Sequence, residues 1–302
     1  MIRHKKLAYV AFNVSDLERS VAFYRDMAGL DVVEHNPGRD AFLSCNGDHH
    51  NVVLVQAQTA SLKRIAYELE NIGQLAVATQ ILEAAGIKVE TLDAAECGRQ
   101  RITAGLRFRD PNGIPFEYCA GLMSRPQRFV PHPIDFSHLS HAVVKVPDFP
   151  TSLAFYRDVM NFRVSDFRHE PTGEPYFAFM RCFPNPYHHS FAIITAPKAA
   201  FFHIAFTVRS IDELMTGRNR LKKAGVTVAP TPGRHMASGS VFQYFSDPDG
   251  FTLEYTVGME EFPIEGGREP RMLDKSYQTT DLWDGERPTN MPDYGLIEPP
   301  SA

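Results

Sequence analysis

Apolar residues recur along this chain in two rhythms. The runs Leu7–Val14 and Leu139–Val146 are almost continuously apolar, as strands covered on both faces are. After each run an aspartate (Asp16, Asp148) stands where a helix N-cap belongs. Apolar residues then follow at helical spacing: Val21, Phe23 and Tyr24 in one place, Leu153, Phe155 and Tyr156 in the other. Further β-rich segments are predicted over 40–56 and 176–195. Helices are predicted over 71–85 and 210–224, each closed by Ala-Gly (Ala85-Gly86, Ala224-Gly225), a pair suited to a left-handed helix end. Asp-Pro-Asn-Gly at 110–113 and Asp-Pro-Asp-Gly at 247–250 predict turns, each followed by a last strand. The order reads βαβββ, used twice in each half.

The halves are copies of one another. Residues 7–32 match 139–164 at 10 of 26 positions with a constant offset of 132, including Ala-Phe-Tyr-Arg-Asp at 22–26 and 154–158. Residues 64–75 pair with 203–214 at an offset of 139, and 109–118 with 246–255 at an offset of 137. Three blocks in one order predict a duplicated module. The first domain is expected over 1–121 and the second over 137–259. Residues 122–136, with Pro126, Pro131 and Pro133, read as a linker. Residues 260–302 are rich in Pro, Gly and charge and predict an irregular tail over the surface.

Composition narrows the function. A chain of 302 residues with 43 % hydrophobic residues has apolar material for two cores. The net charge of −5 gives no support to a nucleic-acid partner. No run of about 18 apolar residues predicts a membrane span. The first residues lack the apolar stretch of a signal peptide. Cys45, Cys97, Cys119 and Cys182 form no CxxC pair, so free thiols in a reducing, cytoplasmic setting are expected.

The duplication also exposes a difference between the copies. Tyr9 is answered by His141, Arg64 by His203, and Glu117 by Glu254. Only the second copy therefore carries two imidazoles and a carboxylate at these three strand positions. A set of this kind, with coordination positions left open, suits Fe(II). Alternation supports Glu254: Phe251, Leu253, Tyr255 and Val257 share one face, and Thr252, Glu254 and Thr256 the other. A single strand histidine is more often a hydrogen-bonded core residue. The three together, in one copy only, read as a metal site.

The second half carries further matches. His189 stands in Tyr187-His188-His189-Ser190-Phe191-Ala192, His235 follows Gly233-Arg234, and Tyr244 lies ten residues before Glu254. With the triad and the Asp247-Pro248-Asp249-Gly250 turn, these resemble the two-domain type I extradiol (meta-cleaving) catechol dioxygenases of the vicinal oxygen chelate superfamily, over residues 5–259. The resemblance implies an α+β fold, with tandem βαβββ modules forming an incomplete barrel in each domain. It implies a non-catalytic first domain and a catalytic second one. Fe(II), or Mn(II), would be held by His141, His203 and Glu254. A small aromatic diol and O2 would be the substrates. His189 would move a proton, Tyr244 would donate a hydrogen bond, and His235 would hold the substrate. A homo-oligomer, tetrameric or larger, is also implied.

His188, Val143, Phe177, Phe183, Phe191 and Phe202 are candidates for the substrate pocket, and Arg181 and Arg234 for meeting a substrate carboxylate. Arg268, Arg271 and Tyr277 suggest a tail that folds over the pocket. The first copy has its own pair, His49-His50, so paired histidines alone do not mark a catalytic site. The alternatives are a glyoxalase-like or hydroxyphenylpyruvate-type metalloenzyme of the same fold and a metal-free ligand-binding protein.

Overall fold

A computed structural model describes residues 1–125, 134–292 and 294–300. The prolines expected to form the linker lie outside them. The first module runs β1 (His4–Val14), α1 (Leu17–Ala22), β2 (Asp31–Asn36), β3 (Asp40–Ser44), β4 (Val52–Gln56), β5 (Ser61–Leu69), α2 (Gly73–Ala84), β6 (Glu90–Thr91), α3 (Ala94–Arg99), β7 (Ala104–Arg109) and β8 (Pro115–Ala120). The second repeats it with β9 (Phe136–Val146), α4 (Phe149–Ala154), β10 (Phe162–His169), β11 (Pro175–Cys182), β12 (Phe191–Thr195), β13 (Ala200–Val208), α5 (Ile211–Lys223), β14 (Gly233–Arg234), β15 (Val241–Ser246) and β16 (Thr252–Val257). Each module is one open sheet, ordered β2-β3-β4-β1-β5-β8-β7-β6 in the first. The second has the matching order β10-β11-β12-β9-β13-β16-β15-β14. This is the two-module α+β fold with an incomplete barrel per module.

Both sheet faces are buried, which explains the near-continuous apolar runs. One face of each sheet joins the helices in a single core that holds Val10, Phe12, Ile65 and Tyr118 together with Val144, Ile204, Phe206 and Tyr255. The opposite faces form two separate interiors. One holds Tyr9, Phe42, Val53 and Ala66, and the other Val143, Phe177, Phe179 and Ala192.

Local chemistry sets the helices. Asp16 accepts from the Arg19 amide at 3.0 Å and Asp148 from the Thr151 amide at 3.1 Å, capping α1 and α4. Over the repeated Phe-Tyr-Arg-Asp the winding widens to i→i+5, with Ala28 N bonded to Phe23 O and Met160 N to Phe155 O. These segments join the modules reciprocally. The Tyr24 hydroxyl donates to Asp247 at 3.1 Å, and its repeat partner Tyr156 donates to Asp110 at 2.6 Å. Each module's Asp-Pro-x-Gly turn thus docks on the other module's first helix.

This joint titrates. Burial pushes the Asp247 carboxyl up from 3.8 to about 7, against the Phe251 and Asp249 amides and the Tyr24 hydroxyl that donate to it. The folded chain therefore holds this proton more tightly than the unfolded chain. Its contribution is full below pH 3.8 and is lost as pH rises to about 7. Melting temperatures of the wild type relative to Asp247→Asn are expected to fall across that window. A constant difference between the two would remove Asp247 from the pH dependence.

The tail departs from its expected irregularity. Arg271–Leu273 forms β17, a ninth strand parallel to β10, and Tyr277–Thr280 forms a short helix, α6. The cause is Asp166 on β10. Arg268 reaches its carboxylate at 2.8 and 3.0 Å and Arg271 at 2.6 and 3.1 Å, while the Arg271 amide donates to it at 2.8 Å. The tail then crosses back to the first module, where Ile297 bridges to Leu62 and Glu298 pairs with Lys63. No described helix is long and apolar enough to cross a membrane. The four cysteines are buried and unpaired.

Candidate metal centre

β13 lies between β9 and β16, and one residue of it, Ala205, is in register with both His141 and Glu254. Its methyl group leaves space between these two longer side chains. His203, two residues earlier on the same face, closes the group. His141 Nε2 is 3.2 Å from His203 Nε2 and 3.4 Å from Glu254 Oε2, and His203 Nε2 is 3.2 Å from the same oxygen. Two atoms each about 2.1 Å from an ion and about 100° apart lie about 3.2 Å from one another. The spacing therefore suits one small divalent cation.

The electrostatics suit it too. Glu254 is fully buried, and among the described residues its carboxylate meets the two imidazoles and no Arg or Lys. Burial pushes its carboxyl up, but the facing imidazoles outweigh this and hold it well below the usual carboxylate range. Burial lowers His203 to about 4, so at neutral pH its ring offers a lone pair. An ionised carboxylate in this setting is costly without a cation. Ser140 Oγ lies 3.1 Å from His141 Nδ1 and holds that ring's far edge.

The first module shows how a protein cation fills the same place. Ala66 is in register with Tyr9 and Glu117. Glu117 is also fully buried, but it receives the Tyr9 hydroxyl, Arg107 Nε at 2.8 Å and Arg64 Nε at 3.2 Å. With a chelator present, Glu117→Gln is expected to lower the melting temperature, because Arg64 and Arg107 lose their shared anion. Glu254→Gln is expected to leave it equal or raise it, because a buried charge is removed. Equal losses in both variants would show that Glu254 already has a protein partner.

Around the triad stand the other residues singled out in the sequence. The His189 ring centroid is 4.2 Å from that of His141, and its Nδ1 is 3.0 Å from His188 Nδ1. His188 Nε2 is in turn 2.8 Å from Asp166. A carboxylate only accepts, so the network assigns the protons: His188 Nε2–H donates to Asp166, and His189 Nδ1–H donates to His188 Nδ1. His189 is left with a bare Nε2, which has no partner among the described residues. Tyr244 lies in register with Glu254, with its ring 5.3 Å from that of His203 and its hydroxyl free of any described partner. His235 stacks on Phe242 at 3.9 Å and gives its Nδ1 proton to Thr280 O at 2.7 Å. The tail thus forms part of the site wall. Gly233 permits this, since a Cβ there would meet Asp281 Cγ of the tail at 2.6 Å.

The apolar candidates divide. Val143, Phe177 and Phe202 gather with Phe179 in the interior of the second module, and Phe179 packs 5.1 Å from His189. His188 backs His189 rather than facing a pocket. Phe191 points the other way, into the shared core, against Tyr156 at 4.7 Å and Phe162 at 5.5 Å. Phe183 lies beyond the end of β11 under the Arg163 guanidinium, 3.3 Å away. Arg181 is spent on Phe262 and Pro263 O, and Arg234 on Gly239 O and Trp283. Neither arginine joins the triad. Asp166 escaped notice in the sequence. The 132 offset that pairs Tyr9 with His141 also pairs Asp166 with Glu34, an acid in both copies, and was the signal available.

Comparison with known proteins agrees with this architecture. The family model described as Glyoxalase/Bleomycin resistance protein/Dioxygenase superfamily matches residues 6–118 and again 138–255. Biphenyl-2,3-diol 1,2-dioxygenase of Paraburkholderia xenovorans (strain LB400) is 30 % identical over 264 residues, covering 83 % of this chain and 87 % of that protein. The iron-dependent extradiol dioxygenase of Rhodococcus jostii (strain RHA1) is 25 % identical, covering 83 % and 88 %. The crystal structure of the Mn(II)-bound glyoxalase from Novosphingobium aromaticivorans superposes with a TM-score of 0.87 at 28 % identity, covering 99 % of each chain. The chain belongs to the glyoxalase/bleomycin resistance protein/dioxygenase superfamily and, within it, to the two-module extradiol dioxygenases.

Proposed function

We propose that this protein is an Fe(II)-dependent extradiol dioxygenase that opens the ring of an apolar-substituted catechol with O2, in the degradation of aromatic compounds. One observation carries the reading: a fully buried carboxylate, Glu254, faces two imidazole nitrogens at 3.2 and 3.4 Å and has no Arg or Lys partner among the described residues, whereas its repeat partner Glu117 has two. His141, His203 and Glu254 hold the metal in this proposal. Bound iron would lower the pKa of a catechol hydroxyl and bring the diol and O2 together on its open positions.

The remaining roles fall to the chain itself. His189 Nε2, kept bare by the Asp166–His188 pair, takes a proton from the substrate and returns it as the ring opens. His235 Nε2, its other nitrogen fixed on Thr280 O, accepts a hydrogen bond from the diol. The Tyr244 hydroxyl donates to the reacting oxygens. Val143, Phe177, Phe179 and Phe202 supply an apolar wall against the ring substituent and exclude water. The relatives' names support an aryl substituent and do not separate iron from manganese, since one is iron-dependent and one structure holds Mn(II). A glyoxalase-type reaction with a fourth protein ligand from the first module is disfavoured, because Tyr9 and Arg64 are tied to Glu117. A cytoplasmic setting and a homo-oligomer of four or more chains complete the proposal.

The test is anaerobic purification, metal analysis, and a panel of catechol, 3-phenylcatechol and 3,4-dihydroxybenzoate. One iron per chain and a yellow ring-opened product on admitting air, fastest with 3-phenylcatechol, are expected. Absence of metal together with colourless mixtures would leave a metal-free binding protein.

A further inference from the structure

A cavity of about 460 Å³ opens in the first module, on the sheet face that corresponds to the metal centre of the second. None of the triad residues lines it. We propose that it binds a small molecule carrying one carboxylate on an apolar ring or chain, with Arg64 as the anchor.

Arg64 stands where the second module has His203. It is 4 % exposed, and only its Nε is bound, to the Tyr9 hydroxyl at 3.2 Å and Glu117 at 3.2 Å. Nη1 and Nη2 find no acceptor among the described residues, although Arg64 lines the cavity. A guanidinium fork presented in this way matches a carboxylate through two parallel hydrogen bonds. The local charge balance shows the same deficit. Arg64, Arg99 and Arg107 share only Glu96 and Glu117, so three cations meet two anions. The other basic groups of the cavity are matched one to one: Arg39 with Asp40, Arg101 with Glu34 and Lys63 with Glu298. A single negative charge is what this cavity lacks.

The apolar lining describes the rest of the ligand. Phe42, Val53 and Val55 form an apolar wall, which suits a ring or chain and not a free inorganic anion. Arg64 as a mere plug in a lost metal site would need only its Nε contacts. It would not require a lined cavity in front of its free fork.

The probe is benzoate, titrated into the intact protein by calorimetry, with benzamide as the neutral isostere and inorganic phosphate as the anion without a ring. Benzoate is expected to bind at one site, at least tenfold tighter than either control. His203→Ala should keep that affinity, because the metal centre is not involved. Arg64→Gln should lose it by tenfold or more. That variant leaves Glu117 with Arg107 as its one cation and can lose stability, so Val55→Trp, which fills the cavity and leaves the Arg64–Glu117 pair alone, serves as the second arm with the same expected loss. Absence of benzoate binding, equal binding of benzamide or phosphate, loss of binding in His203→Ala, or full affinity in Val55→Trp would each overturn the proposal. None of these outcomes bears on the ring-opening reaction.

Discussion

His203→Ala is expected to purify with less than a tenth of an iron per chain and to show no detectable ring opening. The ring supplies one of three atoms separated by 3.2–3.4 Å, and its neighbours on β13 cannot replace it, since Phe202 and Ala205 are apolar. Losing even an outer partner of a metal ligand costs about 10- to 100-fold in affinity, so losing a direct ligand costs more. The fold should survive, because the vacancy faces the module interior and not the shared core. Thermal unfolding with and without chelator separates the two effects. The wild type should lose stability when the metal is removed, by mass action. The variant should melt at one temperature in both conditions. A variant that still binds one ion tightly would end the assignment of His203 as a ligand.

His189→Gln is expected to keep iron and catechol binding and to slow turnover by about 10²–10⁴-fold, the usual scale for a lost acid–base group. Glutamine can still donate its amide hydrogen to His188 Nδ1, so the local hydrogen bonding is preserved. Its carbonyl oxygen cannot take a proton at neutral pH. In the wild type, burial and the neighbouring imidazoles push His189 well below its ordinary value, which keeps the resting ring neutral and Nε2 available as a base. Single-turnover rates with anaerobically bound catechol, set beside equilibrium binding of the same catechol, read the two quantities separately. Turnover equal to the wild type would remove His189 from the chemistry. Weakened binding at unchanged turnover would make it a substrate-holding residue.

The repeat made much of this readable. Because the chain holds two copies, it carries its own comparison, and Tyr9/His141, Arg64/His203 and Glu117/Glu254 stand out without any other sequence. Strand alternation then put Glu254 opposite the core-facing Leu253 and Tyr255. The same alternation, followed through β12, separates the residues that were grouped too freely. Ala192 and Ile194 face the site interior, whereas Phe191 and Ile193 face the shared core. Phe191 was grouped with the pocket because it lies near the site strands; it stands two residues from His189, but β12 begins only at Phe191, so strand alternation does not carry the orientation of one to the other. Phe183 was misjudged for a different reason: it lies past the end of its strand, where alternation no longer applies.

Sequence alone determined the features with a short period or a constant offset: the strands, the capped helices, the duplication, and the three triad positions. Each rests on spacing along the chain. Tertiary structure alone decided which distant segments meet. Arg268 and Arg271 clamp Asp166 across 102 and 105 residues, and Thr280 fixes the proton on His235 across 45. No rhythm in a proline- and charge-rich tail announces such contacts. They arise because a carboxylate with no solvent exposure must find its cations wherever the fold brings them.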